Sequence, residues 1–111
     1  FDVARASWVG DFAEPESFLN VFLKSSALNH TGWSNEEFDT LVGEASGAAT
    51  KSQRLNLLAR ADAILASQAP IMPIYYYSKV YQISPQVKNW NANLLDYHDY
   101  KGVYLTPCED R

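Results

Sequence analysis

Five residues close to the start of the chain have types and a spacing that suit ligand capture: Arg5, Trp8, Val9, Gly10 and Asp11. If residues 6–10 are extended, the main-chain donors and acceptors there, those of Val9 and Gly10 among them, can pair with another extended backbone by strand addition, which gives affinity without reading side chains. The Asp11 carboxylate can receive an ammonium group through a charge-assisted bond, roughly twice as strong as a neutral one. Spacing alone favours a plainer role for it, as negative charge near the positive end of a helix beginning near Pro15. On the same terms Arg5 is a surface charge or a salt-bridge partner, and Trp8 is a core aromatic, the commoner fate of such a residue on a strand.

Reactive groups elsewhere are sparse. His30 and His98 are the only histidines, both in loop-like segments, and neither lies in a pattern that positions a nucleophile. His98 between Asp96 and Asp99 has the composition of a metal site, but a lone histidine between carboxylates in a polar tail is ordinarily solvated. Cys108 is the single cysteine, which excludes an internal disulfide and a zinc site built from several thiolates. The expectation is a binding protein and not an enzyme, with no cofactor and no metal.

The elements that must hold the first five residues are readable from periodicity. Residues 1–9 alternate imperfectly and predict a short strand that enters a loop at Gly10. Pro15 suits a first helical turn, with Glu14 and Glu16 at the positive end of the dipole, and Phe18, Leu19, Phe22 and Leu23 make one apolar face. After a loop around Gly32, the residues Ser34, Asn35, Glu36 and Glu37 form a capping box. Phe38, Leu41, Val42 and Ala45 follow at helical spacing until Gly47. Thr50, Lys51, Ser52 and Gln53 are a second capping box, opening an amphipathic helix through Leu55, Leu58, Ala61, Ile64 and Leu65 that ends before Pro70. Residues 71–77 are rich in β-formers with Pro73 arguing for an edge, and the run from Tyr75 to Tyr77 is expected inside a covered sheet. Residues 79–83 predict a returning strand, residues 84–101 an irregular polar and aromatic stretch, and residues 103–105 a last short strand.

With 111 residues, 47% hydrophobic, 14% aromatic and 20% charged, the composition is that of one ordinary globular domain. Three Trp, seven Tyr and five Phe exceed what a core this small easily hides, so some aromatics are expected to face a partner or ligand. The net charge of -4 and the scattered basic residues carry no nucleic-acid footprint. The longest apolar stretch, residues 71–77, falls well short of the ~20 residues that span a bilayer. A start at Phe1, with neither an initiator Met nor a signal region, is expected of a chain whose true N-terminus lies elsewhere.

The run Phe1-Asp2-Val3-Ala4-Arg5-Ala6-Ser7-Trp8-Val9-Gly10-Asp11-Phe12-Ala13-Glu14-Pro15-Glu16-Ser17-Phe18-Leu19 resembles a signature of the extracellular peptide-binding proteins, family 5 of the solute-binding proteins: strand, Trp, loop Asp, acidic-Pro helix start. Phe38 and Asp39 after a capped helix start, the helix from Gln53 and Arg54 to Ala66, and the residues from Ala69 to Tyr77 resemble the same family in the same order. The likeness fades after Ser84.

The resemblance implies an α/β fold of strand, three helices and further strands. It makes the chain the C-terminal part of a longer periplasmic oligopeptide-binding protein, lying mostly in lobe II and supplying much of that lobe of a two-lobed clamshell that closes over an extended peptide. Residues from about 100 to 111 then return toward the other lobe, and the strand at 103–105 is expected without its partners. The implied partners are an oligopeptide and the membrane permease of an ABC importer, in the periplasm or, in Gram-positive relatives, anchored outside the cell. Asp11 then meets the α-ammonium of the peptide, Arg5 can meet its carboxyl end with a planar guanidinium, and Trp8 walls a side-chain pocket. Val9 stands where some relatives carry a cysteine, so Cys108 is expected as a free thiol or paired with an absent segment. Relatives of this fold also bind dipeptides, murein peptide, sugars or nickel complexes, and retention of Asp11 favours ligands with a free amino terminus.

Overall fold

Asn35 and Thr50 decide where the two long helices begin. In the computed structural model, which describes residues 2–93 and 95–107, Asn35 Oδ1 accepts the Phe38 N–H at 2.9 Å and opens α2, with α1 the short helix before it and α3 the long one after it. Helix α2 runs over Glu36–Ser46 with Glu36, Glu37 and Asp39 in its first turn, where negative charge meets the positive end of the dipole. The sequence places the cap at Ser34; the helix starts one residue later because Asn caps at least as well as Ser and its oxygen reaches the third helical amide. Thr50 Oγ1 accepts the Gln53 N–H at 3.2 Å and opens α3, Lys51–Gln68, as its capping box predicts. Helix α3 closes at Ala69, which takes a left-handed φ of 46° and donates its N–H to the Leu65 carbonyl at 2.9 Å; Pro70 then prevents continuation.

The chain divides into two units, Phe1–Pro73 and Ile74–Arg111. In the first, α2 and α3 pack face to face, burying Phe38, Leu41, Val42 and Ala45 from one and Leu58, Ala61 and Leu65 from the other. Each large side chain so removed from water contributes about 1.5–3 kcal/mol. Leu19 completes the core, with Phe22, Leu23, Trp33, Leu57 and Ile64 packed against it. The Trp33 ring meets Phe38 edge-on, centroids 5.0 Å apart, and its indole N–H donates to Gln68 Oε1 at 2.7 Å. Leu55, placed on the apolar face by periodicity, is instead exposed, since α3 is met on one side only.

Helix α1, Glu16–Leu19, is shorter than the apolar pattern predicts and tightens into a 3-10 turn at Asn20–Phe22. The Asn29 side-chain amide explains the stop. It donates to the Phe22 and Leu23 carbonyls at 3.0 and 3.4 Å, acceptors that a further turn would have used, and to the Trp33 carbonyl at 2.9 Å. Of the expected face, Leu19 is buried and Phe22 and Leu23 pack on the core, but Phe18 is half exposed. Glu16 ties the three helices together: it accepts from Arg54 Nη2 of α3 at 2.6 Å and from the Ser46 hydroxyl of α2 at 3.0 Å.

The predicted strands fare differently. Among the described residues none of 2–9, 71–77 or 79–83 is in a strand, and Phe1 lies outside the described residues. Met72, Tyr76 and Val80 are 81%, 99% and 93% exposed, so the covered sheet expected around Tyr75 to Tyr77 is not formed. β-forming side chains fit a half-buried pleated surface, and a strand exists only where a second backbone meets its N–H and C=O groups; no such strand pairing involves these segments among the described residues. In the second unit β1, Val87–Lys88, pairs antiparallel with β2, Tyr104–Leu105, in the register Val87 to Leu105 and Lys88 to Tyr104. The last strand therefore has a partner, contrary to expectation, because the 3-10 turn at Tyr100–Gly102 returns the chain to Gln86, whose carbonyl accepts the Thr106 N–H at 2.9 Å. The described structure is thus mixed helix and strand, helical in the first unit and loop-rich in the second. Cys108 lies outside the described residues. No helix among the described residues is long and apolar enough to cross a membrane.

Candidate functional site

The first turn of α1 organises the loop that precedes it. Ser17, 3% exposed, accepts the Asp11 N–H on its hydroxyl oxygen at 2.6 Å and the Phe12 N–H at 3.4 Å. Its carbonyl accepts the Trp8 indole N–H at 3.0 Å. Gly10 passes between these bonds against the Phe18 ring; a Cβ there would lie 3.1 Å from two ring carbons and 3.2 Å from Ser17 Oγ. Three of the five predicted residues, Trp8, Gly10 and Asp11, are thus gathered on one short helical turn.

Their exposure separates them from core residues. Asp11 is exposed, and among the described residues its carboxylate has no ion pair. The plainer reading as a helix-dipole residue fits poorly: α1 starts at Glu16 and is 4 residues long, and no side chain caps its N-terminus. Trp8 is 38% exposed, so it is not a core aromatic. Arg5 and Val9 are exposed and take no part in the bonds to Ser17. The predicted strand through residues 6–10 is absent, so the loop's main chain is shaped by Ser17 and by no neighbouring strand among the described residues. Sequence reading missed Ser17 altogether; the only signal was its position in the turn opened by Pro15, where a hydroxyl commonly meets nearby amides.

A second constellation, in the second unit, centres on Asp96, whose left-handed φ of 57° an aspartate tolerates. Its carboxylate accepts from Lys79, from the Tyr81 hydroxyl and from His98 Nε2, the last at 2.9 Å. The bond from Lys79, then those from Tyr81 and His98, hold the Asp96 carboxyl well below the usual carboxylate range. The Tyr81 phenol is pushed up by that same carboxylate. His98 stacks on Trp90, centroids 4.2 Å apart, with Nδ1 2.9 Å from the Asn91 carbonyl. Asp99 caps the 3-10 turn, accepting the Lys101 N–H at 3.0 Å. Both His98 nitrogens are therefore engaged by protein acceptors. Among the described residues no group of three or more His, Cys, Asp or Glu is placed to hold a metal. The arrangement cross-ties an irregular segment.

The loop at Ser17 and the helix pair behind it lie in a stretch with clear relatives. The dipeptide-binding protein DppE of Bacillus subtilis is 36% identical over 101 residues, 91% of this chain and 19% of its own. The periplasmic oligopeptide-binding protein OppA of Salmonella typhimurium is 36% identical over 106 residues, 95% of this chain and 20% of its own. By sequence the chain is similar to part of several peptide-binding proteins. Among these peptide-binding proteins the periplasmic murein peptide-binding protein MppA of Escherichia coli is 39% identical over 93 residues, 84% of this chain and 17% of its own. The chain thus spans about a fifth of the length of the curated relatives it matches. No protein-family model matches it.

Proposed function

We propose that this chain supplies the amine-recognising loop of a peptide-binding receptor that serves an ABC importer. The observation that carries the reading is the exposed Asp11 carboxylate, presented beside Trp8 on a loop whose backbone is pinned by Ser17. A peptide's α-ammonium is a strong donor to such a carboxylate. Val9 and Gly10 offer main-chain groups to the peptide backbone, Trp8 walls a side-chain pocket, and Arg5 meets the carboxyl end. In this reading the chain is the C-terminal part of a longer binding protein and supplies part of one lobe of a clamshell, residues from about 100 onward pass toward the other lobe, and the protein works in the periplasm with a membrane permease as partner. It binds and does not catalyse. The peptide-binding relatives at 36% identity support the reading.

A second reading keeps the fold and site but changes the cargo to a murein peptide or dipeptide, which the names of two relatives favour. Titration calorimetry on the full-length chain tests the amine contact. With tri- to pentapeptides, both Asp11→Ala and N-acetylation of the peptide are expected to lower affinity by about 1.5–3 kcal/mol, the worth of a charged hydrogen bond. If neither change matters, Asp11 is not a ligand contact.

A further inference from the structure

We propose that Ser17 is the positioning residue of this site, setting the direction in which Asp11 and Trp8 face a ligand without touching the ligand itself. The inference rests on the reading of Asp11 as the ammonium receptor. Its grounds are the three bonds that converge on one buried residue: the hydroxyl accepts the amides of Asp11 and Phe12 at 2.6 and 3.4 Å, and the carbonyl accepts the Trp8 indole N–H at 3.0 Å. Nothing else among the described residues orders this loop in a ladder, since residues 2–13 form no strand or helix.

The side chain doing this belongs to α1, which is anchored in turn. Leu19, two residues on, is buried in the core, and Glu16, one residue before, bonds Arg54 and Ser46. Position therefore passes from the packed helix pair, through one turn of α1, to the Ser17 oxygen and out to the loop. A side chain held within about 0.5 Å by such a supporting contact recognises its ligand far better than one left loose. Removing the hydroxyl strips two amides of their acceptor. The Asp11 carboxylate then samples many directions and loses its advantage for an ammonium group, while contacts that do not depend on Asp11 persist.

The test measures preference for a free amine rather than affinity alone. Tri-alanine and N-acetyl-tri-alanine are titrated by calorimetry into the full-length chain and into Ser17→Ala, Ser17→Thr and Asp11→Asn. The expected result is that Ser17→Ala weakens tri-alanine by about tenfold, the effect of one lost hydrogen bond at a buried site, leaves the acetylated peptide within about twofold, and so narrows the preference; Ser17→Thr, which keeps the hydroxyl, retains it. If Ser17→Ala melts early, Ser17→Cys, close in volume and a weak acceptor, is expected to give the same narrowing. Equal weakening of both peptides, or an unchanged preference, overturns the positioning role. Asp11→Asn separates the two ideas. If it abolishes the preference while the Ser17 variants keep it, the positioning role alone fails; if the preference survives in Asp11→Asn, or the unaltered chain binds neither peptide, the reading of the site fails with it.

Discussion

Glu16 and Asp11 are carboxylates on the same few residues of chain, and their surroundings give them different work. Burial alone would raise the Glu16 pKa, but the Arg54 bond, the Ser46 hydroxyl and the Arg54 charge outweigh it and hold it below the ordinary value. A depressed carboxylate stabilises the folded state above its unfolded range, about pH 4.3 for a glutamate, and that stability is lost as pH falls through the lowered folded value. Arg54→Met is therefore expected to melt below the unaltered chain near neutral pH, with the gap closing as the pH falls below the ordinary glutamate range and through the lowered Glu16 value. Thermal melts at several pH values check it, and a gap that stays constant would place the effect of Arg54 in packing instead. Asp11, by contrast, is exposed with no ion pair among the described residues, which leaves its charge available to something from outside. Its type and place were legible from sequence. The contact that aims it, Ser17, was not, because a serine one position into a helix has no pattern that distinguishes a surface hydroxyl from a buried acceptor.

At the scale of elements, helices were legible, and of the expected strands only the last, expected at 103–105, is present, as Tyr104–Leu105. Asn35 and Thr50 cap through their own side chains, and the faces of α2 and α3 follow a period of 3.6 residues; both are local. The exception at the end of α3 is informative. Ala69 closes the helix at φ 46°, a region that costs a residue with a Cβ about 1–2 kcal/mol, where glycine is the common choice. Ala69→Gly is expected to stabilise the chain by roughly 0.5–1 kcal/mol after the greater flexibility of unfolded glycine is subtracted. Chemical denaturation measures it; a loss of stability would mean that the Ala69 methyl makes packing contacts worth more than the strain. The β-forming run from Ile71 to Ile83 remains unpaired with any strand among the described residues, since pairing depends on a second backbone.

Across the whole chain, stability is concentrated in the first unit. Phe38 is 0% exposed, at the junction of α2, α3 and the Trp33 ring. Phe38→Ala is expected to cost about 3–5 kcal/mol, through lost burial and the cavity left behind. Far-ultraviolet dichroism during denaturation checks this, and a loss below about 1 kcal/mol would mean that the helix pair repacks around the gap. The amphipathic faces of α2 and α3 and the cap of α3 could be read from the residues alone, and the cap of α2 to within one residue, because each depends on neighbours a few positions away. Tertiary structure decided which apolar residues are hidden, with Leu55 left out, where α1 stops, that β2 finds Val87–Lys88, and that one buried serine gathers Asp11 and Trp8. Those outcomes depend on groups that come together only when distant segments pack, and linear spacing carries no record of that.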